Sequence, residues 1–99
     1  MIEVRQTEKY KRWFDELRDE RAQDRIYVRI RRLAQGNFGD MKSVGKGVSE
    51  LRIDYGPGYR VYFIRQGMTV VILLAGGDKR TQARDIEAAL VMADELRNR

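Results

Sequence analysis

The residues with most chemistry to offer lie on a strand pattern. The stretch "ELRIDYGPGYRVYF", Glu50 to Phe63, alternates, breaks at Gly-Pro-Gly and alternates again, which predicts a β-hairpin. Arg52 and Arg60 fall inside its two strands. With the turn centred on Pro57, Tyr55 faces Tyr59, Asp54 faces Arg60 and Arg52 faces Tyr62. Side chains alternate across a sheet. Leu51, Ile53, Tyr55, Tyr59, Val61 and Phe63 then form an apolar face, and Glu50, Arg52, Asp54, Arg60, Tyr62 and Ile64 form the other. A one-residue slip would bury the charges, so the choice of face is well specified. Two chemistries fit the charged face. One is a solvated outer surface carrying an Asp54–Arg60 ion pair. The other is an anion site, because guanidinium forks bind phosphate bidentately and a neighbouring tyrosine stacks on a base. The pattern leaves both open.

Other chemistries drop out by composition. The chain has no cysteine and no histidine. A disulfide framework, a structural zinc site, a catalytic triad and imidazole acid–base work are therefore excluded. An enzyme built from these residues works with Arg, Lys, Tyr, Glu or Asp, and neither a metal nor another cofactor is expected. Net charge is +5, and it is unevenly spread. Residues 25–65 hold nine Arg or Lys against three acids, a net +6, while the remainder carries −1. Such a basic region on a balanced chain suggests a polyanionic partner. Within it, "GNFGDMKSVGKG" (36–47) reads as a glycine-rich connector. Its glycines do not match a P-loop, which ends in Gly-Lys-Ser/Thr and opens a helix. Lys42 and Lys46 are candidate phosphate contacts on that connector.

Ninety-nine residues predict one domain, 1–99, with a small core. "MIEVRQ" alternates as a short strand. Thr7 is a plausible N-cap for a helix whose Tyr10, Trp13, Phe14 and Leu17 share a face, with Trp13 as a core anchor. A second helix is predicted from about Glu20 to Gln35, with Ala22, Ile26, Ile30 and Leu33 buried and Gly36 ending it. Arg18, Arg21, Arg25, Arg29 and Arg32 recur at the same spacing about a quarter turn from that stripe, so the row faces solvent or a groove, with a solvated face the preferred reading. Strands follow at 48–55, 59–66 and 69–75; the run from Val70 to Leu74 reads as a central strand buried on both faces. A last helix, about Ala83 to Leu96, packs Ile86, Leu90, Ala93 and Leu96. The order β-α-α-β-β-β-α is an α+β fold with a mainly antiparallel sheet. "MIEVRQTEKYKRW" is charged where a secretory segment needs an apolar run, and "TVVILLAGG" is too short to span a bilayer. A cytoplasmic protein with no membrane partner is expected.

With "GNFGD", "ELRIDYGPGYRVYF" and "LLAGGDKRTQARDI" in that order, the chain resembles the RelE/ParE toxin superfamily, in its HigB-like branch of phage-related addiction module killer proteins. The likeness runs through nearly the whole chain. It implies a RelE-like fold, a small antiparallel sheet packed by two N-terminal helices and a C-terminal helix. It also implies a type II toxin that cleaves mRNA without a metal, commonly on the ribosome, and so inhibits translation. The implied protein partner is a cognate antitoxin, HigA-like with a helix-turn-helix, set over the basic face or against the N-terminal helices.

The resemblance also suggests roles. Arg60 matches the catalytic arginine of the "YR" strand motif. Arg52 falls near a strand lysine of RelE. Lys79 and Arg80 follow the last strand, where RelE has another catalytic arginine. Two departures stand out: Ile86 lies near the position of a catalytic tyrosine on the C-terminal helix, and the C-terminal histidine of some HigB toxins is absent. On this basis Arg52 and Arg60 hold the scissile phosphate. Glu50 is the candidate base, or else an ion-pair partner of Arg52. Lys79 is the candidate acid or phosphate clamp, Tyr62 a stacking or proton-transfer group, and Arg80, Lys42 and Lys46 bind RNA. Two alternatives share the fold: a ParE-like toxin that inhibits DNA gyrase by binding, and a non-catalytic nucleic-acid-binding relative.

Overall fold

Hydrophobic runs on both sides of the "VVILLA" strand require two covering layers, and the chain supplies them. The computed structural model describes residues 1–99. Its elements are β1 (Glu3–Gln6), α1 (Glu8–Asp15), α2 (Glu20–Ala34), β2 (Met41–Gly45), β3 (Val48–Ile53), β4 (Tyr59–Gln66), β5 (Val70–Gly77), a 3₁₀ turn (Lys79–Thr81) and α3 (Gln82–Arg97). The five strands form one sheet in the order β1-β5-β4-β3-β2. β1 runs parallel to β5 and every other pair is antiparallel. The α+β fold expected from the sequence is the fold observed, and its architecture is compatible with a small RelE-like protein.

The helix starts follow local chemistry. Thr7 caps α1, its Oγ1 accepting from the Tyr10 amide at 3.1 Å. Its hydroxyl in turn donates to the Leu74 carbonyl at 2.7 Å, where the register of β5 against β4 shifts. One side chain thus fixes both the helix and its seat on the sheet. Asp19 caps α2 through the amides of Arg21 and Ala22. Gly36 follows α2 at φ 91°, the left-handed geometry of a C′ glycine.

Leu51, Ile53, Tyr59, Val61, Phe63, Val71 and Leu73 face Tyr10, Ala22, Ile26 and Leu33 of α1 and α2. Val48, Tyr62, Ile64, Ile72, Leu74 and Ala75 face Ala89 and Ala93 of α3. Each fully buried Leu, Ile, Val or Phe contributes about 1.5–3 kcal/mol to holding these layers.

Three expectations change. The connector 36–47 contains a strand, β2, which pairs with β3 so that Lys42 lies opposite Glu50. The β3–β4 turn is centred one residue earlier than Pro57, which moves the register by two. Arg52 therefore stands opposite Arg60, and Glu50 opposite Tyr62. A two-residue shift leaves every side chain on its expected face. Finally, the charged face is no solvated surface. α3 covers most of it, and Glu50, Arg60 and Tyr62 are buried.

Candidate functional site

The site is a pair of rows across the α3 side of the sheet. One row is Lys42–Glu50–Tyr62–Ala75, and the next is Arg52–Arg60–Gly77. In the second row two like charges face each other across neighbouring strands, an arrangement that is destabilising without compensation. The compensation comes from the first row. Glu50 is 0% exposed. Its Oε1 accepts from Arg52 Nε at 2.9 Å and lies 3.8 Å from Arg60 Nε. Its Oε2 accepts from Tyr62 Oη at 3.1 Å and from Gln82 Nε2 at 2.8 Å. Burial alone would raise the pKa of this carboxyl. The hydrogen bonds from Gln82, Arg52 and Tyr62, with the charge of Arg60, outweigh burial and hold it below its ordinary range. Burial first, and then the Glu50 charge, push the Tyr62 phenol well above its ordinary range, so it stays a donor.

Arg60 is placed differently from its neighbour. It is buried, 7% exposed, and Glu50 is its sole ion-pair partner. Its Nε makes no hydrogen bond. Its one hydrogen bond is long, 3.4 Å to its own neighbour's carbonyl at Tyr59. A buried guanidinium with so much donor capacity unused is poised for an anion.

That guanidinium lines an open cleft of about 380 Å³ together with Arg52, Lys79, Asp40, Asp54 and the Gly56-Pro57-Gly58 turn. Pro57 is the one apolar side chain of any size that lines it. The turn is shaped for the purpose. Gly58 has φ 79°, and a Cβ there would meet the Lys79 stem at 3.4 Å. The Lys79 amide also reaches back to the Pro57 carbonyl at 3.4 Å. The last strand and the hairpin turn thereby hold Lys79 beside the two arginines. Gly77, paired with Arg60 beneath the cleft, is packed closely: an added Cβ would clash with the Asp85 carboxylate, which accepts from the Thr81 hydroxyl.

Of the residues singled out in the sequence, Arg52, Arg60 and Lys79 come together in the cleft, with Glu50 and Tyr62 beneath them. Tyr62 is 0% exposed and has no face to offer a base, so a stacking role is ruled out by burial. Glu50 accepts three hydrogen bonds, is fully buried and does not line the cleft, so its carboxylate is not presented to a substrate proton. The Asp54–Arg60 pair does not form; Glu50 takes that place. Arg80 is exposed and paired with Asp78 at 3.0 Å. Lys42 is exposed on β2, and Lys46 sits in the β2–β3 turn at φ 51°, at the end of β3 away from Arg52. Sequence reading missed Gln82 and Asp85, which are polar in the first turns of α3 and belong to the site by contacts from distant strands. It also missed Arg29, whose guanidinium donates to the carbonyls of Arg52, Phe38 and Asp40. No three Asp or Glu side chains gather closely enough to hold a metal ion. No helix is long and apolar enough to cross a membrane.

Comparison with known proteins adds the lineage. No solved structure matches the chain. A Haemophilus influenzae protein described as an uncharacterized protein is 50% identical over 95 residues, 96% of each chain. Residues 12–97 match the family model described as phage derived protein Gp49-like (DUF891). The family match takes in every cleft residue. The chain belongs to the Gp49-like family of phage-derived proteins.

Proposed function

We propose that the chain is a toxin of the type II kind, neutralised by an antitoxin, and that it cleaves RNA in the Arg52–Arg60–Lys79 cleft. The observation that carries this reading is the buried, under-bonded Arg60 guanidinium in a mainly polar cleft with two further cations. Such a site suits a phosphodiester poorly matched by water alone and well matched by fixed cations. The likeness to RelE and HigB toxins supports the same reading.

RNA carries its own nucleophile. In the proposed step the 2′-hydroxyl oxygen attacks the adjacent phosphorus, the bond from phosphorus to the 5′-oxygen breaks, and a 2′,3′-cyclic phosphate forms. Arg52 and Arg60 stabilise the charge that grows on the phosphoryl oxygens. Lys79 gives a proton to the departing 5′-oxygen. Glu50 is the buried counter-ion that fixes both arginines and is not the base. The carboxylates open to the cleft are Asp40 and Asp54, and the proton of the 2′-hydroxyl goes to one of them. Tyr62 and Gln82 act through Glu50. Lys42 and Arg80 lie outside the cleft as outer RNA contacts, and Lys46 is farther still.

The test is to induce the chain alone in growing cells and map the 5′ ends of cellular mRNA, with Arg60→Ala as control. New 5′ ends that vanish in the variant support the reading. Intact mRNA with growth arrest and DNA damage would overturn it in favour of a gyrase-inhibiting toxin.

A further inference from the structure

A second cleft lies on the other side of the hairpin mouth, and it is the larger, about 490 Å³. Arg25, Arg29 and Arg32 of α2 line one wall. Val28 and Ile53 form an apolar floor, and Asp24 stands beside Arg25. Asp54 lines this cleft and the catalytic one alike, so the two meet at the end of β3. Three arginines of the row therefore wall a concavity, the groove that their periodicity left open beside a solvated face.

The three arginines divide the work. Arg29 is spent on the protein. Its fork donates to the carbonyls of Arg52, Phe38 and Asp40, and so forms the seam between the clefts. Burial lowers its pKa, without threatening its charge. Arg25 lies over the Tyr55 ring, 4.6 Å from its centroid, while the Tyr55 hydroxyl donates to Asp19 at 3.0 Å. Arg25 is thereby aimed without being neutralised. Arg32 is exposed and makes neither an ion pair nor a side-chain hydrogen bond.

We infer that this α2 cleft is a second binding site, which holds the backbone of single-stranded RNA as it leaves the catalytic cleft past Asp54. Arg25 and Arg32 contact phosphates flanking the scissile one, and the exposed Val28 side chain meets a base or ribose face. The occupant is a polyanion by charge, and it is RNA because the groove adjoins the phosphate cleft at Asp54, which lines both. This inference rests on the RNA reading of that neighbouring cleft. It differs in its consequence, since the α2 arginines give length-dependent affinity and take no part in the chemistry.

The experiment uses the full chain, Arg25→Ala/Arg32→Ala and the charge-keeping Arg25→Lys/Arg32→Lys. Both positions are exposed, and matched thermal midpoints establish that the variants fold. Cleavage is measured on a dinucleotide and on an RNA of about ten nucleotides, within the usual span of single-strand sites. Binding is measured against salt with the same longer RNA made uncleavable by 2′-O-methylation. In the alanine variant, KM for the longer RNA rises roughly tenfold while kcat on the dinucleotide is unchanged, and the salt slope falls by about 1.4, or 0.7 per lost phosphate contact. The lysine variant recovers most of the slope. If the alanine variant matches wild type on both RNAs and in slope, the second site is wrong while the cleavage reading stands. If wild type cleaves neither RNA yet loses affinity and slope in the variant, cleavage fails and the second site stands. If only binding to an acidic protein partner changes, the cleft is a protein site and the inference is overturned.

Discussion

Arg52 and Arg60 stand directly opposite each other on adjacent antiparallel strands, and both lean on one oxygen of Glu50, at 2.9 and 3.8 Å. The pair concentrates positive charge at the cleft floor, and the buried carboxylate makes that concentration tolerable. Site and stability therefore share one residue.

Glu50→Gln is expected to destabilise the fold by about 3 kcal/mol, the usual scale for leaving a buried charge without its partner. Glutamine keeps the shape but not the charge, so the Arg52–Arg60 repulsion is left exposed. Urea unfolding checks this through a lower midpoint at unchanged slope. A midpoint equal to wild type would mean the arginines are neutralised by solvent and that Glu50 is not their anchor.

The same carboxylate sets an acid limb. Its folded pKa lies below the ordinary 4.5. A depressed carboxyl stabilises the fold above its unfolded pKa, and that contribution disappears as pH falls through the folded value. Stability of the wild type is expected to drop progressively below about pH 4.5, and Glu50→Gln to show a flatter limb. The two curves converge in acid. Asp19 and Asp78 add contributions of the same sign through the Tyr55 and Arg80 hydrogen bonds. Parallel curves for the two proteins from pH 7 to 3 would refute the assignment to Glu50.

Asp54→Asn separates binding from chemistry. Asp54 lines the cleft, forms no ion pair in it, and would repel phosphate unless it accepts a proton. Loss of a general base commonly costs about 10²–10⁴ in rate. The variant is expected to cleave RNA more slowly on that scale while binding an uncleavable RNA at least as tightly as wild type. If Asp54→Asn cleaves at the wild-type rate and Asp40→Asn does not, the proton goes to Asp40.

Much of this was legible in the residues, and the failures have physical causes. Alternation assigned each hairpin side chain to its face, because faces depend on parity and parity survives a two-residue shift. It did not give the partner of Arg52. The Gly56-Pro57-Gly58 turn has two residues at positive φ, 54° and 79°, and closes through Gly58 N to the Tyr55 carbonyl at 3.1 Å. That geometry centres the pairing on Gly56, whereas proline at the middle of the motif drew the centre to itself. β2 escaped because an edge strand exposed on both sides carries little hydrophobic pattern; "MKSVG" is nearly all exposed. The burial of Glu50 was invisible for another reason. It depends on Gln82, 32 residues away on α3, and no local pattern reports a contact made across that distance.

Gly77 is expected to tolerate no side chain while Asp85 is present. An added Cβ would lie 1.9 Å from Asp85 Oδ2 and 2.8 Å from its Cγ. Gly77→Ala should therefore cost about 1–3 kcal/mol, as overpacking does. Asp85→Ala in the same chain should relieve part of that cost, giving a coupling of about 0.5–3 kcal/mol in a double-mutant cycle. Strict additivity would show that the carboxylate swings aside freely and does not constrain the packing at Gly77.

Arg29 ties α2 to the end of β3, and its replacement tests whether the Arg52–Arg60–Lys79 cleft is held rigid from outside. Its guanidinium satisfies the carbonyls of Arg52, Phe38 and Asp40 at once, which the rigid fork permits and a lysine ammonium does not reproduce. Hydrogen bonds from a charged donor are worth about 1.5–3 kcal/mol each, so Arg29→Ala should destabilise by at least that much. Arg29→Lys keeps the charge and should recover only part of it. The backbone of Arg52 is the acceptor at the seam, so its side chain loses its fixed approach to the cleft. Both variants should then show lower kcat on a dinucleotide, with KM little altered. This is the opposite of the pattern expected for Arg25→Ala/Arg32→Ala, whose side chains line the second cleft and not the Arg52–Arg60–Lys79 cleft. Unchanged kcat in a folded Arg29→Ala protein would show that Glu50 alone is sufficient to position Arg52.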